Sequence, residues 1–238
     1  MIGLIKISPW FCTQHELIVK NREFFKNFDR TRPLQEYNFV VFDMELTGMK
    51  RKKDEIISIG AVKIKNLQID LGETFHYYIR PQKLDPTEAT LVHRITPEQL
   101  RKAPPLFEVI QKFVSFVGTD LLVGHYVGLD VGFLNRATEK LLNGTLVNPV
   151  IDTMRIAKGY KRVLLGFYHD REDTSHQYSL KNLSSEFNLP VFEAHDALED
   201  AMQTAYLFLF LIKKFKKGGL VSLRDLHQAA RSGAWRSI

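Results

Sequence analysis

Cysteine is nearly absent from this chain. A single cysteine, Cys12, excludes an internal disulfide framework and fits a reducing, cytoplasmic compartment. No Cys/His cluster has the spacing of a structural zinc site. Long hydrophobic runs are missing too. The longest, 205–212, is far shorter than the ~20 apolar residues that span a bilayer. It reads as the buried stretch of a core helix, and no membrane partner is expected. The apolar start, 2–11, carries Lys6 and Pro9 and lacks a clear small-residue cleavage site, so it does not read as a signal peptide. No internal repeat or low-complexity tract is present.

Acidic residues are outnumbered, 27 against 33 Lys and Arg, which leaves a net charge of +6. That balance fits a polyanionic partner without establishing one. Positive charge gathers at Lys50–Lys53, at Lys158/Lys161/Arg162 and at Lys213/Lys214/Lys216/Lys217. Each cluster also reads as an ordinary solvated face. The 238 residues suffice for one sizeable domain with short appendages.

Hydrophobic patterning divides the chain into an N-terminal extension, 1–36, a main domain, 37–217, and a short helical tail, 218–238. The extension should hold a helix over 14–28. Strands are expected at 38–46, 55–64 and 73–79, joined by short turns into an antiparallel meander. Thr96, Pro97 and Gln99 sit at N-cap, N1 and N3 of a helix start. A helix over 106–117 follows, then a strand at 121–123, a helix over 130–142 and a strand at 149–152. Helices close the domain at 153–158, 179–187 and 196–217. Residues 159–177 are polar with little periodicity and read as a mobile loop. Gly218-Gly219 ends the long helix, and 220–230 suits a small terminal helix. Three strands followed by strands alternating with helices imply an α/β fold, a mixed sheet with helices packed on it.

The most telling segment is Phe42-Asp43-Met44-Glu45-Leu46-Thr47-Gly48. It continues the apolar run Phe39-Val40-Val41-Phe42, a buried strand. Side chains alternate along a strand, so Asp43 and Glu45 point the same way. Two buried carboxylates side by side are costly unless a cation neutralises them. The pair resembles half of a hard-metal site. Alone, it equally suits a strand end paired with the lysines that follow. Asp130 follows a buried strand and opens a helix, where an N-cap is the simpler reading. His195 precedes Asp196, which with Glu199 has capping-box spacing, and Asp200 lies on the first turn of that helix. There too, capping and dipole compensation suffice.

Taken in order, Asp-x-Glu at a strand end, Asp at a middle helix and His-x4-Asp near the C-terminus resemble the three motifs of the DEDDh branch of the DnaQ-like 3′→5′ exonucleases. That family includes the proofreading epsilon subunit of bacterial DNA polymerase III. Val92-His93-Arg94-Ile95-Thr96, Ile151-Asp152-Thr153 and Tyr178-Ser179-Leu180-Lys181-Asn182-Leu183 support the likeness, which spans about residues 37–215. It implies a ribonuclease-H-like five-stranded sheet, three antiparallel strands then parallel ones, flanked by helices.

The resemblance also implies a mechanism. Two divalent cations, Mg²⁺ or Mn²⁺, ~3.5–4 Å apart would activate water and stabilise the attacking and leaving oxygens. Asp43 would bridge both, Glu45 and Asp200 would hold the one carrying the nucleophilic water, and Asp130 would support the other. His195 would be the general base, since histidine exchanges protons near neutral pH. Met44, Leu46, Thr47 and His93 would meet the terminal nucleotide, Leu46 as a wedge against the last base and the amides near Leu46 and Thr47 at the 3′-hydroxyl. The expected product is a nucleoside 5′-monophosphate released from the 3′ end of DNA, preferably single-stranded, with a DNA polymerase subunit as a possible partner. Leu46 stands where the proofreading members commonly have Thr and is closer to the oligoribonuclease branch. Tyr126 and Leu129 stand where Asn and Phe are frequent. An RNA or short-oligonucleotide exonuclease is therefore the alternative, and a non-catalytic nucleic-acid or polymerase-binding module a third reading.

Overall fold

The computed structural model describes residues 13–84, 89–164, 175–192 and 195–232. Cys12, the segment 2–11 and most of the loop expected at 159–177 lie outside them.

Five strands form one sheet: β1 (Phe39–Leu46), β2 (Ile56–Lys65), β3 (Gln68–Tyr78), β4 (Leu121–Gly124) and β5 (Val150–Asp152). Their spatial order is β3-β2-β1-β4-β5. β1–β2 and β2–β3 pair antiparallel, β1–β4 and β4–β5 parallel. The mixed sheet expected from the sequence is thus present, with β1 at its centre.

Nine helices accompany the sheet among the described residues: α1 (Glu16–Phe25), α2 (Thr90–His93), α3 (Pro97–Lys102), α4 (Leu106–Val117), α5 (Gly128–Leu142), α6 (Thr153–Leu164), α7 (Leu180–Glu186), α8 (Ala197–Lys217) and α9 (Leu223–Ser232). α3 begins with the expected capping box, Thr96 and Gln99 each bonding the other's backbone. α1 is shorter than 14–28 because the His15 ring caps it, accepting from the Leu17 amide at 3.3 Å. α5 starts at Gly128 rather than at Asp130, so Asp130 lies inside the first turn.

The clearest departure is α6. It continues through residues 159–164, which the sequence reading assigned to a loop. Gly159 is not a helix stop here. A Cβ at that position would lie 2.7 Å from the Ala229 carbonyl oxygen, so glycine lets α9 approach α6. Residues 175–178 form a 3₁₀ turn instead of loop.

Each sheet face carries its own core. On one, Phe39, Val41, Val62, Leu121 and Ile151 pack with Phe208 and Phe215 of α8 and Leu226 of α9. On the other, Val40, Phe42, Met44, Leu46 and Ile59 pack with Phe113 of α4 and Phe133 of α5. Ring pairs knit both layers: Phe39 to Phe208 at 5.1 Å and Phe42 to Phe113 at 5.7 Å.

Helix α1 is tied to the second layer. Ile18 is fully buried there, and Asn21 Nδ2 donates to the Gly118 carbonyl and to Asn148 Oδ1 at 3.1 and 2.7 Å. No described helix is long and apolar enough to cross a membrane.

Candidate active site

The site is the end of one face of β1. Phe39 and Val41 face the α8 layer, and Asp43 and Glu45 continue that row. Across β2 their directly opposed residues are Gly60 and Ser58. A Cβ on Gly60 would lie 2.1 Å from the Ala197 carbonyl carbon. Glycine is therefore required there, because the N-terminus of α8 rests directly on the sheet. That contact brings Asp200 to Glu45.

α8 begins with Asp196 as its N-cap, whose Oδ1 accepts from the amides of Leu198 and Glu199 at 2.9 and 3.2 Å. His195 precedes it in a left-handed conformation, φ 71°. Its amide donates to Asp200 Oδ2 at 2.9 Å. One potential ligand atom from each of Glu45, His195 and Asp200 lies within 4.8 Å of the others.

The electrostatics are those of crowded anions. Burial holds the Asp43 carboxyl well above its ordinary range, and the charges of Asp130, Asp200, Glu45 and Asp196 push it the same way. Burial raises Glu45 to about 8, reinforced by Asp200, Asp130 and Asp196. Asp130, only 8% exposed, rises to about 7 through burial, opposed by its own backbone amide and reinforced by Asp152. Burial also raises Asp200, while the His195 amide and ring pull it down. Every named influence on Asp43 and Glu45 disfavours their ionised form.

That donor set suits a hard divalent cation. Its atoms are carboxylate oxygens and one imidazole, and a cation would relieve the mutual repulsion. Ser58 Oγ, fully buried opposite Glu45, has no hydrogen-bond partner among the described residues.

Beside the carboxylates lies a cavity of about 160 Å³, lined by Ser58, Tyr78, His93, Gln99 and His195 among others. His93 Nδ1 accepts from the Ile95 amide at 3.0 Å, which leaves Nε2 to carry the proton of the neutral ring. Burial lowers the His93 pKa, and the nearby His195 lowers it further.

The other expected contacts are placed differently. Met44 and Leu46 belong to the opposite core, Leu46 at 8% exposure, because the strand's alternation carries them away from Asp43 and Glu45. The wedge expected at Leu46 is therefore a core side chain. Thr47 donates its amide to the Glu55 carbonyl at 2.9 Å, and its Oγ1 accepts from the Glu55 amide at 3.0 Å. Its polar groups close the β1–β2 turn.

Asp152 is a further acidic group beside the site. It stands at the end of β5, accepts from the amides of Tyr126 and Met154 at 3.2 and 3.0 Å, and adds its charge to the field at Asp130. The signal was Ile151-Asp152-Thr153, a carboxylate ending a second parallel strand. His125 is a strut by contrast. Burial holds its pKa down at about 4, so the neutral ring bridges the Tyr178 carbonyl and the Thr153 hydroxyl, each at 2.8 Å.

A central strand ending in two carboxylates, met by carboxylates from two helices on a 3-2-1-4-5 sheet, defines a nuclease of ribonuclease-H-like fold. The chain belongs to the RNase_T exonuclease family, whose model matches residues 40–208, and the DnaQ-like resemblance holds. It is 35% identical over 200 residues to the PolC-type DNA polymerase III of Bacillus subtilis, and 34% over 192 residues to that of Caldanaerobacter subterraneus. These matches cover 83% and 81% of this chain but 13% of either relative, so the chain spans about an eighth of their length. Among solved structures, E. coli exonuclease I in complex with a dT13 oligonucleotide superposes with a TM-score of 0.63 at 17% identity, covering 76% of this chain and 43% of that one. Exonuclease X in complex with 5′ overhanging duplex DNA gives 0.57 at 20% identity, covering 81% and 99%. These structures share the fold.

Proposed function

We propose that this chain is a divalent-metal-dependent 3′→5′ exonuclease acting on DNA, with a free single-stranded 3′ end as substrate. One observation carries the reading: Asp43, Glu45, Asp130 and Asp200 converge where every named influence on Asp43 and Glu45 opposes their ionisation. Such a cluster is unfavourable without a cation and useful with one. The family assignment supports hydrolysis of phosphodiesters. The names of the PolC-type relatives and the oligonucleotide bound to exonuclease I support DNA as substrate and a DNA polymerase as partner.

Two Mg²⁺ or Mn²⁺ ions held by these carboxylates would supply a water nucleophile at neutral pH and neutralise the phosphate oxygens. Asp43, which feels the charge of Glu45, Asp130 and Asp200, would be a ligand in this set. Glu45 and Asp200, grouped with His195, would hold one ion, and Asp130 would support a second. His195 would serve as general base for the attacking water, its backbone fixed by the amide bond to Asp200. His93, which lines the cavity together with His195, would meet the terminal nucleotide. The product is a nucleoside 5′-monophosphate.

The test is digestion of 3′-labelled single-stranded DNA and RNA with Mg²⁺ or Mn²⁺, beside Asp43→Ala and His195→Ala. Metal-dependent release of mononucleotides from DNA, lost in both variants, is the expected result. RNA-only cleavage would overturn the DNA assignment, and cleavage of neither would overturn the enzyme reading.

A further inference from the structure

A second cleft lies beside the β1–β2 turn, outside the carboxylate cluster. Its volume is about 320 Å³. The floor is apolar: Ile56, Phe133 and Ala137 are buried beneath it. The rim is cationic, with Lys52, Lys53, Lys83, Arg136 and Lys140 against two acids, Asp54 and Glu55.

Both acids are already engaged. Asp54 Oδ2 accepts the Lys50 amide at 2.7 Å, and Glu55 Oε2 accepts the Gln82 amide at 3.0 Å. Arg136 donates to the carbonyls of Arg51, Lys52 and Asp54, which fixes the turn to α5 without neutralising the guanidinium. Among the described residues, none of Lys52, Lys53, Lys83 and Lys140 forms an ion pair. Lys63, Lys65, Lys102 and Lys161 do. Cations held together by a fixed turn and left unpaired create a field that an anion relieves.

The shape selects which anion. α5 starts at the site with Asp130, and Phe133, Ala137 and Lys140 follow along one face. At 1.5 Å per residue, Lys140 lies about 15 Å down the axis from Asp130. That is room for at least two nucleotides of a single strand, which is more extended than the ~3.4 Å step of a duplex. A lone phosphate needs one point of charge, whereas five cations around one cleft match repeated phosphates.

We infer that this cleft is a track for the phosphate backbone of the strand whose 3′ end lies at Asp43, an inference that rests on the exonuclease reading. The contacts are to phosphates, so they set affinity and register and not base preference.

The test uses the full chain carrying Asp43→Asn, which removes a ligand needed for cleavage. Binding of a 5′-fluorescein single-stranded DNA of about 16 nucleotides is followed by anisotropy between about 50 and 200 mM salt. Lys52→Gln/Lys53→Gln/Lys140→Gln should weaken binding about tenfold and flatten the slope of log K against log salt by about 2, at ~0.7 per lost phosphate contact. The corresponding triple Lys→Arg variant should restore both, which separates lost charge from a disturbed fold. Lys213→Gln/Lys214→Gln/Lys217→Gln, at the far end of α8, should leave the slope in place. An unchanged slope in the cleft variant, or equal flattening in the α8 variant, would overturn the track. Complete displacement of the strand by millimolar inorganic phosphate would also overturn it, in favour of a single-anion site. Since binding is read without cleavage, failure of the exonuclease reading shows separately, as an unsubstituted chain that digests nothing.

Discussion

The two faces of β1 run side by side and end differently. The even-numbered face, Val40, Phe42, Met44 and Leu46, stays apolar to its last residue. The odd-numbered face begins alike, with Phe39 and Val41, then turns to Asp43 and Glu45 without leaving the strand. A strand built for stability alone would continue the first pattern on both sides, since each large apolar side chain buried contributes about 1.5–3 kcal/mol. The odd face forgoes that for two carboxylates held above their ordinary pKa. The difference separates what the strand does for the fold from what it does for the reaction.

The sharpest way to break the contrast is Asp43→Asn. Cleavage of labelled DNA should fall about 10³-fold, since metal stabilisation amounts to several kcal/mol at ~1.36 kcal/mol per tenfold. The melting temperature in chelator should hold or rise, because a carboxylate crowded by Asp130, Asp200 and Glu45 is gone. A large drop in melting temperature would give Asp43 a structural role instead. Gly60→Ala should come next. Its Cβ would lie 2.1 Å from the Ala197 carbonyl carbon, so α8 must shift and carry Asp200 with it. Displacement of about 1 Å in a catalytic group costs on the order of 10²-fold, to be read as kcat on folded protein.

On the even face, Phe42→Ala should do the reverse. It removes a ring packed 5.7 Å from Phe113 and should cost about 3–5 kcal/mol in urea unfolding, with kcat per folded molecule within a few-fold.

The smallest effect is with pH. Glu45 and Asp130 have folded pKa values of about 8 and about 7, above their unfolded values. Between the unfolded and folded pKa the native state binds more protons, so metal-free stability is greatest below about pH 4 for these groups and declines as pH rises to 8. Melting in chelator should fall by several degrees from pH 5 to pH 8, at ~2–4 °C per kcal/mol for a chain of this size. Added Mn²⁺ should restore more of it at pH 8 than at pH 5, because ligands must be ionised.

How far the sequence foretells this structure depends on whether a residue's role is local. Helix α4 is legible to the residue, because Val109, Ile110, Phe113, Val114 and Val117 repeat at helical spacing. The facing of Asp43 and Glu45 follows from strand alternation. The same rule sends Met44 and Leu46 to the other side, and motif likeness overrode it. Gly159 misleads because its reason is a carbonyl on α9, 70 residues away in sequence. Asp130 looks like a helix opener because α5 starts at Gly128 with no side-chain cap to mark it. The cationic cleft is illegible in sequence, since Lys83 and Lys140 reach Lys52 and Lys53 only through the fold.

Helix α8 has a consequence for motion. Its first turn holds Asp200 and its later turns bury Phe208, Leu211 and Phe215, so it is at once a wall of the site and a beam of the core. A beam anchored over 21 residues does not rock with each turnover. His195, just before it, is exposed, held at φ 71° and tied to Asp200 by its amide. Amide hydrogen exchange should show this as some of the slowest protons in the chain, in the buried turns around Phe208.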